Sequence, residues 1–324
     1  MSVKFGFAGF RHAHIHSLYS RVQSHAGTEV AAAYEADAAA RQEAEGKGVV
    51  FNCASLEAML ENPEIDVIAV GGAYGDRGDV VKRALAAGKH VLSDKPFCIS
   101  LEELEQISAL IAEHKSVLGC MFDLRTAPNF HTAAKLLADG IIGRLSAIQF
   151  NGMHPLNYGV RPGWYFEAGM HGGTINDIAI HLFDLLPGMT GSSVRRILAA
   201  RSGNLNFSQV PGFSNTGALM LELTNGVCVT GDVSYFAPSF DSPAYWRFTI
   251  SGTEGMLEFN YNTPGVLHVT RDGSRMIPPE SAPADYFDAF LQELAGNPAS
   301  PCTNEILQTA RWALTAQQIA DANQ

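Results

Sequence analysis

A doubly wound α/β domain with a parallel sheet, followed by an α+β domain with an open, mainly antiparallel sheet, is the fold class this sequence predicts. Three observations carry it. Short apolar runs alternate with helical patterns five times in the first 121 residues, and such alternation builds a parallel sheet with helices on both faces. The second half pairs its strands around turn signals such as Asn225-Gly226 and Asp272-Gly273, the mark of antiparallel hairpins. The 324 residues, 46% of them hydrophobic, exceed one typical core and can fill two. The expected domains are residues 1–121 and 122–324.

In the first domain, residues 3–8 are an apolar run that stops at Gly9, and a helix follows through about residue 24. Residues 29–34 form the second strand, ending at Glu35. Residues 38–45, rich in Ala, Glu and Arg, favour a helix. Ser55 caps a short helix over 55–60. Residues 66–70 are the third strand, with Gly71-Gly72 behind it. A helix over 79–87 stops at Gly88. Residues 90–93 form the fourth strand, and Asp94-Lys95-Pro96 follows. Ser100 and Glu103 have capping-box spacing for a helix over 100–114, and residues 116–121 are the fifth strand. In the second domain, helices are expected over 130–137, 174–186, 283–294 and 305–320. Strands are expected over 145–151, 196–201, 218–223, 227–233, 247–251, 256–260 and 267–270.

Composition narrows the function classes. The formal net charge of −11 disfavours a nucleic-acid partner, because an acidic surface repels phosphate backbones. The five cysteines, Cys53, Cys98, Cys120, Cys228 and Cys302, form no C-x-x-C pair and read as reduced cytosolic thiols. No signal peptide and no apolar run of membrane-spanning length is visible. A cytoplasmic protein with no membrane partner is the expectation.

The residues able to carry chemistry gather at strand ends, where ligands bind in such sheets. The loop after the first strand holds Gly9, Phe10, Arg11, His12 and His14. A dinucleotide-binding Rossmann fingerprint requires G-x-G-x-x-G there. Gly9 supplies the first of those glycines, and Arg11 and His14 stand at the other two positions. Glu35 lies where an acidic residue binds a ribose 2′-hydroxyl, and no Arg follows it directly, which favours NAD over NADP. An ordinary surface glutamate after a strand is the competing reading. Lys95, stiffened by Pro96, faces the same crevice or is a solvated turn lysine. Asp177, His181 and Asp184 recur at i, i+4 and i+7 on one helical face. The alternative there is that Asp177 closes a capping box on Thr174 and His181 is a core histidine. The alternating His12, His14 and His16 also fit zinc ligands of a hydrolase, but no matching ligand set stands at the other strand ends, so no metal is expected. Trp164 could stack on a sugar or pack in a core, and Arg161 could pair with a carboxylate.

Taken together, these segments resemble the glucose–fructose oxidoreductase / inositol dehydrogenase (Gfo/Idh/MocA) family along essentially the whole chain. ALAAGKHVLSDKP is similar to the family's AL-x-AGKHV-x-x-EKP, with Asp94 in place of Glu. Phe122–Arg125 with Pro128 resembles GF-x-x-R-x-x-P, and DGIIGRL resembles the entry to the second domain. GGTINDIAIHLFD resembles GG-x-x-x-D-x-x-x-H-x-x-D. The resemblance implies a Rossmann domain joined to an open-sheet domain, often paired across that sheet into homodimers or homotetramers. It implies catalytic roles for Lys95, Asp177 and His181. Cofactor contacts are expected from Gly9, Phe10, Arg11, His12, Glu35, Gly71, Ala73, Tyr74, Asp94 and Lys95. Substrate contacts are expected from Arg161, Trp164 and Asp184. Where the family has Thr-Pro-Asn this chain has Ala73-Tyr74-Gly75, so the pyrophosphate is held differently, with Arg11 supplying charge, or held weakly.

The activity expected is reversible, NAD-dependent oxidation of a secondary alcohol on a sugar, cyclitol or related polyol. His181 is the general acid/base, Asp177 orients it, and Lys95 stabilises the developing alkoxide. Two rivals share the fold: an NAD-dependent glycoside hydrolase and a non-catalytic dinucleotide-binding sensor.

Overall fold

The computed structural model describes residues 2–323, which group into two compact units. The first holds the chain up to Met121 together with Pro162–Gly172 and Tyr286–Leu307. The second holds Phe122–Arg161, Gly173–Asp285 and the residues from Gln308 onward. The units are thus interleaved in sequence, and residues 122–324 do not form one uninterrupted domain.

In the first unit, β1 (Val3–Ala8), β2 (Thr28–Tyr34), β3 (Val67–Val70), β4 (His90–Ser93) and β5 (Leu118–Cys120) pair in parallel in the order β2-β1-β3-β4-β5. They are connected by α1 (His14–Ser24), α2 (Ala38–Gly46), α3 (Leu56–Glu61), α4 (Tyr74–Ala86) and α5 (Leu101–His114). Every residue of β3 is buried, which is why its sequence is a continuous apolar run rather than an alternating one. Phe5 and Phe7 of β1 pack with Tyr19 and with Phe287 and Phe290 from the late segment of this unit. The strand order reverses between β1 and β3, and the carboxyl ends there form the crevice such folds use for ligands.

Local capping explains several boundaries. Asp37, Ser55 and Ser100 each accept a backbone N–H from the first turn of α2, α3 and α5. Glu103 reaches back to the N–H of Ile99, at 2.9 Å, one residue before the position a capping box uses. Helix α4 starts at Tyr74, five residues before the expected start. No proline stands at the end of β3 to delay it, and Ala73 in extended geometry leads directly into the first turn.

The second unit contains α6 (Pro128–Ala138), β6 (Leu145–Met153), a π-helical turn over Ile175–Ala179 and α7 (Ile180–Thr190). Its sheet adds β7 (Val194–Gly203), β8 (Thr216–Leu223), β9 (Cys228–Ser234), β10 (Arg247–Gly252), β11 (Met256–Phe259), β12 (Val266–Thr270) and β13 (Gly273–Ile277). The order is β13-β12-β11-β10-β6-β9-β8-β7, antiparallel except for the parallel pair β6 and β9. Side chains alternate across a strand, so Leu219, Leu221 and Leu223 of β8 are buried while Met220 is exposed. Phe130 of α6 meets Phe248 and Phe259 edge-on, at 5.7 and 5.2 Å, and so covers one face of the sheet. Helices α8 (Tyr286–Leu294) and α9 (Thr303–Ala322) end the chain. Among the described residues, no helix is long and apolar enough to cross a membrane.

Candidate active site

The crevice at β1 and β3 is built on backbone contacts. Gly9 has φ +90°, and a Cβ there would lie 2.7 Å from the backbone nitrogen of Gly72. Only glycine lets the two loops approach this closely. The Arg11 N–H then donates to the carbonyl of Gly71 at 2.9 Å. Glu35, 5% exposed, spans the loop: one carboxylate oxygen accepts the N–H of Phe10 at 2.5 Å and the other that of Asp37 at 2.8 Å. A carboxylate offers about four lone-pair positions, so these bonds fix Glu35 at the strand end and leave acceptor capacity for a ribose hydroxyl. The ring of Phe10 packs in the core against Phe7 and Phe51, so Phe10 serves the loop through its backbone. Arg11 lies 3.7 Å from Asp37, on the β2 side.

Several residues that depart from the dinucleotide fingerprint and the family pattern converge on one buried carboxylate. Asp94, with no exposure, accepts the Nδ1–H of His14 at 3.0 Å and the N–H of Lys95 at 2.8 Å. Its other oxygen accepts from Arg77 Nη2 at 2.8 Å and lies 2.6 Å from His12 Nδ1. Arg77 is itself fully buried. It donates to the carbonyls of Gly72, Lys95 and Pro96, and its guanidinium lies 4.6 Å from the Tyr74 ring centroid. The Tyr74 hydroxyl and His12 Nε2 are 3.3 Å apart. Burial alone would raise the pKa of Asp94, but Arg77, with His12 and His14, holds it well below the usual carboxylate range.

Burial, outweighing the pull of Asp94, pushes His12 down from 6.5 to about 4. The folded protein then binds fewer protons than the unfolded chain between those values. His12 therefore contributes stability that is fully present above pH 6.5 and is lost as pH falls toward 4. A gap of that size corresponds to about 3 kcal/mol. His12→Gln should flatten this stretch of the stability–pH curve measured by urea unfolding. An unchanged slope would contradict the assignment.

His12, His14 and Asp94 present ligand atoms within 4.8 Å of one another, which supplies the strand-end partner that the H-x-H pattern lacked in sequence. The donor count nevertheless disfavours a metal: Asp94 is surrounded by four nitrogens, and Arg77 already balances its charge. The residues fit a dinucleotide better. Gly9 admits the close approach, Glu35 is a fixed acceptor at the end of the second strand, and α1 begins with no acidic residue in its first turn, as a phosphate-binding helix end requires.

Ala73 and Tyr74 are buried. Trp164 is 2% exposed. Its ring lies 5.0 Å from that of Tyr74, and its Nε1 donates to the carbonyl of Arg11 at 3.4 Å. The stacking surface expected for a sugar is thus buried.

In the second unit, the glycine pair before Asp177 admits a side chain. A Cβ on Gly173, at φ +91°, would lie 2.1 Å from Gln317 Cδ. Gln317 Oε1 accepts the N–H groups of Ile175 and Asn176, so the cap comes from α9 and not from a Thr174–Asp177 box. Thr174 instead donates to the carbonyl of Ser214. Asp177 is thereby released for another partner: its Oδ2 accepts a very short hydrogen bond from the buried Tyr235 hydroxyl. His181, 5% exposed, stands edge-on to Phe122 and Trp246 at 6.1 and 5.6 Å. Tyr235 lies 58 positions from Asp177, and no local motif marks it.

Two expected substrate contacts are otherwise engaged. Asp184 has no exposure and pairs with Arg125 Nε at 2.9 Å, an internal ion pair. Arg161 donates to the carbonyls of Pro155 and Leu156 and lies over the Tyr235 ring at 5.7 Å. It braces its own loop beside the Asp177 partner. Lys95 belongs to the first unit, and Asp177 and His181 to the second.

Residues 3–122 match the model of an oxidoreductase family with an NAD-binding Rossmann fold, and residues 130–258 match a GFO/IDH/MocA C-terminal domain. The chain is 25% identical over 235 residues to levoglucosan dehydrogenase of Pseudarthrobacter phenanthrenivorans, covering 65% of this chain and 59% of that enzyme. It is 25% identical over 188 residues to inositol 2-dehydrogenase of Rhizobium meliloti, covering 57% and 54%. The alignments thus span less than two thirds of either enzyme. A solved structure from Erwinia carotovora atroseptica has the same fold, with a TM-score of 0.87 at 26% identity over 98% of this chain and 99% of that one.

Proposed function

This chain belongs to the Gfo/Idh/MocA family of NAD-binding oxidoreductases, and from that premise we propose that it oxidises a secondary alcohol of a sugar, cyclitol or related polyol. The observation that carries the reading is the loop at the β1 and β3 ends, where Gly9 is pressed on Gly72 and Glu35 braces Phe10 and Asp37. When bound, the nicotinamide supplies the hydride chemistry.

The chain's own residues supply orientation and proton transfer. Lys95 hydrogen-bonds the reacting hydroxyl and stabilises negative charge as it develops on oxygen. His181 accepts the hydroxyl proton, a task for which imidazole is suited near neutral pH. Asp177, oriented by Tyr235, steadies the imidazolium that results. Curated relatives that act on levoglucosan and inositol support a ring-shaped polyol as the substrate class. Large apolar side chains exposed on β7, β8 and β13, Leu198, Met220 and Met276, support association into a homodimer or homotetramer across that sheet.

NAD is the preferred cofactor in this reading. Glu35 accepts from a free 2′-hydroxyl and repels a 2′-phosphate. Titration calorimetry should find NAD(H) bound more tightly than NADP(H), and the reverse order would overturn the role of Glu35. The activity itself is tested by following NADH fluorescence with NAD⁺ across a panel of aldoses, anhydrosugars and cyclitols. Reduction with at least one of them is expected.

A further inference from the structure

We infer that Arg77 is a positioning residue for Lys95: together with Asp94 it holds both backbone polar groups of that lysine and ties them to the loop on which Gly9 is pressed. The inference rests on the role proposed above for Lys95 and adds the group that sets where its side chain begins. Asp94 Oδ1 accepts the Lys95 N–H at 2.8 Å. The Lys95 carbonyl accepts from Arg77 Nη1 at 2.7 Å, and Arg77 Nη2 donates to Asp94 Oδ2 at 2.8 Å. These bonds close a ring that runs through the lysine backbone, and Nη1 also donates to the carbonyl of Pro96 at 3.1 Å. The Arg77 and Asp94 side chains both have zero exposure, so water does not compete for their bonds.

The remaining edge of the guanidinium points the other way. Arg77 Nε donates to the carbonyl of Gly72 at 2.9 Å. Gly72 is the residue against which Gly9 is packed, and the carbonyl of Gly71 accepts the N–H of Arg11. One planar side chain on α4 therefore registers the end of β4 against the ends of β3 and β1. In the proposed reaction the Gly9 loop receives the dinucleotide and Lys95 brings its amine to the alcohol, so Arg77 sets their relative placement. A lysine amine rides on a long flexible stem, and it is placed only as well as the backbone that carries it. A displacement of about 1 Å at a reacting centre costs about 10²-fold in rate. An ion pair serving stability alone needs no contact with the Lys95 backbone or with Gly72; Arg77 makes both.

Arg77→Lys is the variant to test, because it keeps a cation opposite Asp94 and loses the planar fork that reaches the carbonyls. With a polyol that reduces NAD⁺, kcat per folded molecule should fall about 10- to 100-fold. KM should change little, since charge on the alcohol oxygen develops only in the transition state. In a Lys95→Ala background the same substitution should change kcat by less than about twofold, because no amine remains to be placed. Equal fold losses in the two backgrounds, or an undiminished kcat in Arg77→Lys, would overturn the inference while leaving the oxidoreductase reading intact. No NADH from any polyol with the wild-type protein would overturn that reading, and this inference with it. Amide hydrogen exchange needs neither a substrate nor a variant. The Lys95 N–H of the wild-type protein should exchange as slowly as the amides inside β4, and exchange at the rate of an exposed turn would refute the hold. In Arg77→Lys that amide should quicken ahead of the rest of the first unit; an even rise across the unit would assign Arg77 to general stability and equally refute the role.

Discussion

Replacing His181 with alanine is expected to lower the turnover number by about 10²- to 10⁴-fold, the contribution of a positioned general base, while NAD affinity stays unchanged. His181 follows a helical segment whose start is fixed by Gln317 rather than by its own cap. The same segment carries Asp177, held by Tyr235. Neither side chain belongs to the Gly9 loop. Lys95→Ala should impair turnover too, and the double variant should lose less than the product of the two effects, because such groups act as a unit. If His181 serves only the core between Phe122 and Trp246, the alanine variant will melt earlier yet keep its activity per folded molecule. Steady-state kinetics beside a melting curve separates the outcomes.

Arg77→Met should destabilise the first unit by about 3–5 kcal/mol, the cost of stranding one member of a buried ion pair. Both side chains of the Arg77–Asp94 pair have zero exposure. Losing the guanidinium also leaves three carbonyls, of Gly72, Lys95 and Pro96, without their donor. Arg77→Lys keeps the charge but not the planar fork and should fall between the two. Urea unfolding measures the difference, and a change under about 1 kcal/mol for Arg77→Met would mean that the cluster is not the structural tie described.

The fold was legible wherever sequence pattern and environment agree. Buried parallel strands need unbroken apolar runs, and β1 and β4 begin and end where those runs do. Hairpins need glycine at positive φ, and Asn225-Gly226 marked one. The start of helix α4 is not legible in the sequence, because Tyr74, Gly75 and Arg77 resemble turn and surface residues, and only the fold brings Asp94 against Arg77. The interleaving of the two units was not visible either, since Pro162–Gly172 and Tyr286–Leu307 carry no local signal of the sheet they join.

The site was legible in its motif residues and obscure in their partners. Lys95, Asp177 and His181 stand in recognisable segments, but what holds them comes from afar. Tyr235 is an unremarkable aromatic after a strand, and Gln317 sits on a polar stretch of a long helix. Asp184 shows the converse: its helical spacing with Asp177 and His181 suggested a ligand contact, yet Arg125 engages it in the interior. The alternating histidines looked like metal ligands or turn decoration. Two of them, His12 and His14, lie against Asp94, which the fold brings close by setting β4 two strands from β1.

The most direct test of hydride transfer uses a polyol substrate deuterated at its carbinol carbon, with NAD⁺ and the wild-type protein. Mass spectrometry of the recovered cofactor should find deuterium on the reduced nicotinamide, in step with appearance of the ketone. Binding of NAD⁺ without any label transfer across the panel, or release of an aglycone with no net NADH, would contradict the account.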